Sequence, residues 1–179
     1  VVVEGNSVRR LNQNQNQNHH LINKLREQNH AGLIAFSTGT TGRPKAILHD
    51  LTLYMRRFET PRPTLKTINF LLFDHLGGIN TLFHTLFNKG IVVAPKSRSV
   101  EDILETCTLH KVEVLPTTPT FLRMMLLSGL IPDKVPESLR IITYGAERMD
   151  QPTLDAICEL LPKIDFNDLL KTDKNIMKY

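Results

Sequence analysis

Apolar and polar positions along this chain fall into blocks that switch between the period of a strand and the period of a helix. Leu33-Ile34-Ala35-Phe36 is a short apolar run and reads as a buried strand. Ile68 to Phe73 reads as another, with no polar alternation after Asn69. Ile79, Leu82, Phe83 and Leu86 share one helix face, and Gly90 closes that helix. Ile91-Val92-Val93-Ala94 is a strand. Ser99 begins the next helix, with Asp102 placed to balance exposed N–H groups and Val100, Ile103, Leu104 and Cys107 as the buried stripe. Glu113-Val114-Leu115 is the following strand. Thr118 caps a helix whose first residue is Pro119. Leu139 to Thr143 is a strand, Asp150 and Pro152 start a helix with the face Leu154, Ile157 and Leu161, and Ile164-Asp165-Phe166 is a last strand. Earlier, Leu21, Ile22 and Leu25 mark a short helix ending near Gln28-Asn29-His30, and Leu51 to Phe58 another, stopped by Pro61 and Pro63. This alternation predicts an α/β fold: a largely parallel sheet with helices on both faces. Ligands in such sheets bind at the carboxyl ends of the strands.

Composition narrows the picture. At 179 residues with 41% hydrophobic content, the chain is one domain's worth and can bury a core. A net charge of +4, from 22 basic and 18 acidic side chains, is mild and spread out, so nucleic acid is not an expected partner. No run approaches a membrane span. Cys107 and Cys158 fall on apolar helix stripes and read as free, buried, reduced thiols, which suits a cytoplasmic protein. The start shows neither a leader pattern nor a methionine, and a fragment, a processed product or a trimmed chain is expected. Residues 11–18 alternate Asn and Gln and read as a surface loop. His19-His20 has no third ligand at metal-binding spacing. Met124 and Met125 read as core filler rather than as a lipid tunnel, and Thr117, Thr118 and Pro119 as a helix cap.

The candidate chemistry lies in Ser37-Thr38-Gly39-Thr40-Thr41-Gly42-Arg43-Pro44-Lys45-Ala46. Glycines let the backbone approach an anion, and exposed N–H groups form a nest of positive partial charge. The hydroxyls of Ser37, Thr38, Thr40 and Thr41 add donors, and Lys45 adds a full charge that reaches a polyphosphate. The spacing is not that of a P-loop: Gly42 comes too early after Gly39, and Arg43-Pro44 separates it from Lys45. The plain alternative is a polar turn between a strand and a helix.

This string resembles the phosphate loop of the adenylate-forming superfamily, which includes acyl-CoA synthetases, luciferases and the adenylation domains of peptide synthetases. Ala46 stands where that loop has a glycine, a change that matters only if the position needs positive φ. Leu71-Leu72-Phe73-Asp74-His75-Leu76-Gly77-Gly78 resembles the next family block, and Arg140-Ile141-Ile142-Thr143-Tyr144-Gly145-Ala146-Glu147 the turn that packs on adenine. The resemblance runs from about Leu33 to Asp168, with the acyl-CoA synthetase group the nearest.

It implies a two-step ligase reaction: a carboxylate, expected to be a fatty acid, attacks the α-phosphate of ATP, and a thiol such as coenzyme A takes the acyl group. It implies that Ser37, Thr38, Gly39, Thr40, Thr41, Gly42 and Lys45 cradle the phosphates, that His75 and Lys45 serve the reacting groups, and that Gly145, Ala146 and Glu147 flank adenine. His75 has a structural alternative, as a helix cap or a partner of Asp74, and Glu147 has another as a helix-start carboxylate. The family's Tyr-Gly-x-Thr-Glu is absent. Asn167-Asp168-Leu169-Leu170-Lys171-Thr172-Asp173 stands there, so no residue is assigned to Mg2+. The expected organisation is an N-terminal segment 1–31, a partial AMP-binding domain 32–168 and an atypical tail 169–179, inactive without the rest of an enzyme. Two rival readings are a non-catalytic remnant acting as a binding module and a nucleotidase of another fold.

Overall fold

The computed structural model describes residues 2–4, 7–9, 19–37 and 45–169. The Asn/Gln tract, the loop 38–44 and residues 170–179 lie outside the described residues. The chain divides into two compact units, 1–55 and 56–179.

In the first unit, Val2–Glu4 (β1) pairs antiparallel with Ser7–Arg9 (β2). His20–Glu27 (α1) is capped by His19, whose Nδ1 accepts the Leu21 N–H at 3.3 Å. The His19 and His20 rings stack at 4.9 Å. Among the described residues, no group of three His, Cys, Asp or Glu side chains converges.

Gly32–Ser37 (β3) and Lys45–Asp50 (β4) form an antiparallel ribbon in which Ser37 stands opposite Lys45. The expectation of a buried strand at Leu33–Phe36 is therefore corrected. Apolar content predicts burial only where layers cover both faces. Among the described residues β3 pairs with β4 alone, and Ile34 and Phe36 stay 49% and 63% exposed. Strand β4 was unforeseen, because Ala46-Ile47-Leu48 is a short apolar run between Pro44 and His49. Leu51–Met55 (α2) starts on Asp50. One Asp50 oxygen accepts the Leu53 N–H at 2.9 Å, and the other lies 2.7 Å from His30 Nδ1.

The second unit opens with a 3-10 turn, Arg56–Phe58, so the predicted helix 51–58 tightens over its last three residues. Lys66–Ile68 (β5), Ile91–Val93 (β6), Val114–Thr117 (β7), Ile141–Tyr144 (β8) and Asp165–Asp168 (β9) form one parallel sheet in the order β6-β5-β7-β8-β9. Numbered from β5, this is the doubly wound order 2-1-3-4-5, which reverses between β5 and β7. The connecting helices are Leu76–Phe87 (α3), Val100–His110 (α4), Pro119–Leu127 (α5) and Gln151–Leu160 (α6). Right-handed crossovers put α3 on one face and α4, α5 and α6 on the other.

The core has the same asymmetry. Ile68, Leu115 and Ile142 stand in one register row and pack with Ile103, Leu104 and Cys107 of α4, Leu122 and Met125 of α5, and Ile157 of α6. All are fully buried, each side chain contributing about 1.5–3 kcal/mol of transfer free energy. The predicted stripe of α4 is buried as expected, and Ser99 Oγ accepts the Asp102 N–H. Burial pushes the Cys107 thiol up to about 12, which keeps it inert. Both cysteines are free, but Cys158 is only half-buried, which corrects the expectation that both thiols are buried.

Three other expectations are corrected. The strand predicted over Ile68–Phe73 ends at Ile68, because Asn69 leaves the sheet: its N–H still reaches Val93 O at 2.8 Å, but its side-chain amide donates to Gly78 O at 3.2 Å. The buried face of α3 is Gly78, Thr81 and Thr85, not Ile79, Leu82, Phe83 and Leu86. The chain before α3 lies so close that a Cβ on Gly78 would meet Leu72 O at 2.3 Å, and Thr85 hides its hydroxyl by donating to Thr81 O. Met125 fills the core, but Met124 points outward and is exposed. Among the described residues, no helix is long and apolar enough to cross a membrane.

Candidate functional site

The glycine-and-threonine string sits on a hairpin. Ser37 ends β3 and Lys45 starts β4, and their pairing closes the base of the connection 38–44. Thr38, Gly39, Thr40, Thr41 and Gly42 lie in that connection, outside the described residues. A connection between antiparallel strands is not the strand-to-helix turn of the plain alternative, and no helix dipole follows it directly. Lys45 is exposed. Ala46 lies in extended β4 opposite Phe36, so the missing glycine costs no strain there.

In the second unit, the carboxyl ends of the parallel strands share one edge. The chain leaving β5 reaches His75, and the chain leaving β8 makes the turn Gly145-Ala146-Glu147. Strands β5 and β8 are separated only by β7, about 10 Å at the usual spacing. His75 is the N-cap of α3 by backbone position and makes no side-chain cap bond. Its Nε2 lies 3.7 Å from Asp74 Oδ1, and both side chains are 67% exposed. That is a loose surface contact rather than an oriented pair.

The turn after β8 is engaged by its own neighbours. Gly145 is buried, and a Cβ there would meet the Leu169 Cβ at 3.3 Å. Ala146 has φ +67°, the left-handed region that glycine tolerates best. The Glu147 carboxylate accepts the Thr120 N–H at 3.1 Å and the Thr120 hydroxyl at 2.5 Å. Thr120 lies in the first turn of α5, where four N–H groups lack helical partners and a negative charge is favoured. Thr118 caps the same helix through its hydroxyl, which accepts the Phe121 N–H at 3.2 Å. Arg123 of α5 donates to Asp150, the cap of α6, at 3.0 and 2.9 Å. These contacts tie the turn after β8 to both helices beside it.

Reading the sequence missed a row of polar groups at the ends of the strands. Thr117, Tyr144 and Asp168 stand opposite one another on β7, β8 and β9. Thr117 Oγ1 is buried without a hydrogen-bond partner. Burial and the nearby Asp168 and Cys158 push the Tyr144 hydroxyl up. The register that aligns them is a property of strand pairing, which no single motif displays.

Known proteins supply the identity. The AMP-binding enzyme family matches residues 1–169. The 2-succinylbenzoate–CoA ligase of Bacillus velezensis is 27% identical over 130 residues, covering 68% of this chain and 26% of that protein. A plipastatin synthase chain of Bacillus subtilis is 29% identical over 132 residues, covering 68% of this chain and 5% of that protein. The inhibitor-bound N-terminal domain of FACL13 from Mycobacterium tuberculosis superposes with a TM-score of 0.64 at 14% identity, covering 76% of this chain and 36% of that one. The chain thus spans about a quarter or less of the curated relatives it matches, and the structural likeness confirms the α/β fold. With a family match along nearly its whole length, this chain belongs to the AMP-binding, adenylate-forming ligase family.

Proposed function

We propose that this chain is the phosphate-gripping and adenine-flanking portion of an enzyme that joins a carboxylic acid to ATP and then to a thiol. The observation that carries the reading is the string Ser37 to Lys45, placed on a hairpin whose base pairs Ser37 with Lys45. Ser37, Thr38, Gly39, Thr40, Thr41 and Gly42 offer N–H and hydroxyl donors to the phosphates, and Lys45 neutralises charge on them. The first half-reaction needs that charge neutralisation and in-line placement of the carboxylate more than it needs acid–base help. His75 stands beside the carboxylate, and Gly145, Ala146 and Glu147 flank the adenine. Magnesium, when bound, would neutralise phosphate charge. No residue is assigned to it.

The fit to adenine is incomplete in the structure. Leu169 covers Gly145, and Glu147 is committed to Thr120. A ring packing on Gly145 requires Leu169 to turn away. We therefore assign residues 1–179 weak nucleotide binding and little turnover, since losing one preorganised charge contact lowers a rate by about a hundredfold or more. The acyl substrate we favour is a fatty acid and the acceptor coenzyme A. The 2-succinylbenzoate–CoA ligase likeness keeps smaller acids in view.

Exchange of labelled pyrophosphate into ATP, run over straight-chain and aromatic acids, tests this. Slow exchange that depends on straight-chain acids is the expected result. Exchange driven only by aromatic acids would overturn the fatty-acid assignment. Hydrolysis of ATP with no acid present would overturn the ligase class.

A further inference from the structure

The amino ends of β5 and β6, opposite the edge described above, carry a cluster of basic groups within the second unit. Its centre is the buried ring of Phe58. The Arg57 guanidinium carbon lies 5.9 Å from that ring's centroid, and the His84 ring stands edge-on to it at 6.4 Å. Phe83 and Phe87 pack on the same ring at 6.3 and 5.6 Å, so the platform under both groups is fixed.

Arg62 is brought to this cluster through its backbone. Asn88 is buried, and its side chain bridges two segments. Its Oδ1 accepts the Arg62 N–H at 2.6 Å, and its Nδ2 donates to His84 O at 2.7 Å. The Asn88 carbonyl accepts the Thr64 hydroxyl at 2.7 Å. Pro61 and Pro63 stiffen the backbone on either side of Arg62. The Arg62 side chain itself is exposed and pairs with no carboxylate among the described residues. A cation on an anchored main chain loses less freedom on binding than one on a free loop.

The charge here is unbalanced. The segments beside His84 carry Arg56, Arg57, Glu59, Arg62 and Lys89, of which only Glu59 is acidic. Lys66 of the neighbouring β5 is directed elsewhere, donating to His110 O at 3.4 Å. Burial, and then the charges of Arg62 and Arg57, hold the His84 imidazole below its ordinary value. Both guanidiniums therefore act on this ring, and a bound anion would relieve the repulsion. Two guanidinium forks and a ring N–H match an ion that offers three oxygens. We propose that Arg57, Arg62 and His84 form a binding site for a phosphate group, carried by a soluble compound or by a lipid headgroup. None of these residues belongs to the nucleotide site proposed above, and the inference stands or falls without it.

The test is a pH titration of the His84 ring by NMR in the full chain, in sodium chloride and in inorganic phosphate at one ionic strength. The resonance missing from His84→Gln assigns the signal. Ionic strength is matched because salt alone screens the arginines. Phosphate is expected to raise the His84 midpoint by about 0.5 unit or more over chloride, since a bound anion favours the imidazolium. The effect is expected to be half complete at about 1 mM phosphate. Arg62→Gln changes an exposed side chain and keeps the backbone N–H. In chloride it is expected to raise the His84 midpoint, because one cation is gone, and to bind phosphate about tenfold more weakly. Lys45→Ala is expected to leave the phosphate effect intact, which separates this site from the hairpin loop. Co-sedimentation with vesicles of phosphatidylcholine and phosphatidic acid, lost in Arg62→Gln, would assign the phosphate to a lipid. A His84 shift in phosphate with no co-sedimentation would assign it to a soluble compound. Equal His84 midpoints in phosphate and chloride overturn the proposal whatever the vesicles do. So does a phosphate effect that is unchanged in Arg62→Gln or abolished in Lys45→Ala.

Discussion

Glu147 holds the start of α5 through Thr120, accepting both the backbone N–H and the hydroxyl of that one residue. The contact links the turn after β8 to the helix after β7. Replacing Glu147 with Ala removes an acceptor from a helix N-terminus, and the expected loss of stability is about 0.5–1 kcal/mol, since the site is exposed. Urea unfolding of Glu147→Ala and Glu147→Gln checks this. Gln keeps an acceptor oxygen and should recover part of the loss. If Ala and wild type unfold at the same midpoint, Glu147 is not a clamp.

Ala146 occupies backbone space suited to glycine, with φ +67°. The left-handed conformation costs an L-residue about 1–2 kcal/mol. Glycine relieves that strain but brings more chain entropy to the unfolded state, which offsets about 0.5–1 kcal/mol. Ala146→Gly is expected to raise stability by up to about 1 kcal/mol, and Ala146→Val to lower it. Equilibrium denaturation of the two variants gives the sign. A less stable glycine variant would mean that the turn is not strained.

Acid sensitivity should trace to Asp150. Hydrogen bonds from Thr153, and then Arg123, hold its carboxyl at about 2, below the ordinary 3.8. A carboxyl with a depressed folded-state pKa contributes stability above its unfolded value and loses it as pH falls through the folded one. The contribution is therefore complete above about pH 4 and fades towards about pH 2. Asp150→Asn keeps a competent cap but cannot titrate. Across that window the wild-type melting temperature should fall more steeply than that of Asp150→Asn. Parallel curves would show that Asp150 is not the group responsible.

Several elements were readable because their causes are local. Ser99, Thr118 and Asp150 cap their helices as their spacing foretells, and the stripe Val100, Ile103, Leu104 and Cys107 is buried. The parallel sheet follows from strands alternating with helices. What escaped the reading depends on neighbours distant in sequence. Small residues bury the face of α3 because the loop before it comes within contact of Gly78. Leu33–Phe36 is as apolar as a core strand, yet its exposure depends on which strands lie beside it. At the candidate site, the glycines and threonines announced an anion loop by composition. The bonds from Thr120 to Glu147, and Leu169 lying over Gly145, arise from juxtapositions that no motif carries.

The direct test of the account is calorimetric titration of the folded chain with magnesium-ATP and with AMP, in wild type and in Lys45→Ala. If the hairpin loop grips a triphosphate tail, ATP binds at least about tenfold more tightly than AMP, and Lys45→Ala removes most of that difference. Equal affinity for the two nucleotides, or a preference for ATP that survives the loss of Lys45, would contradict it.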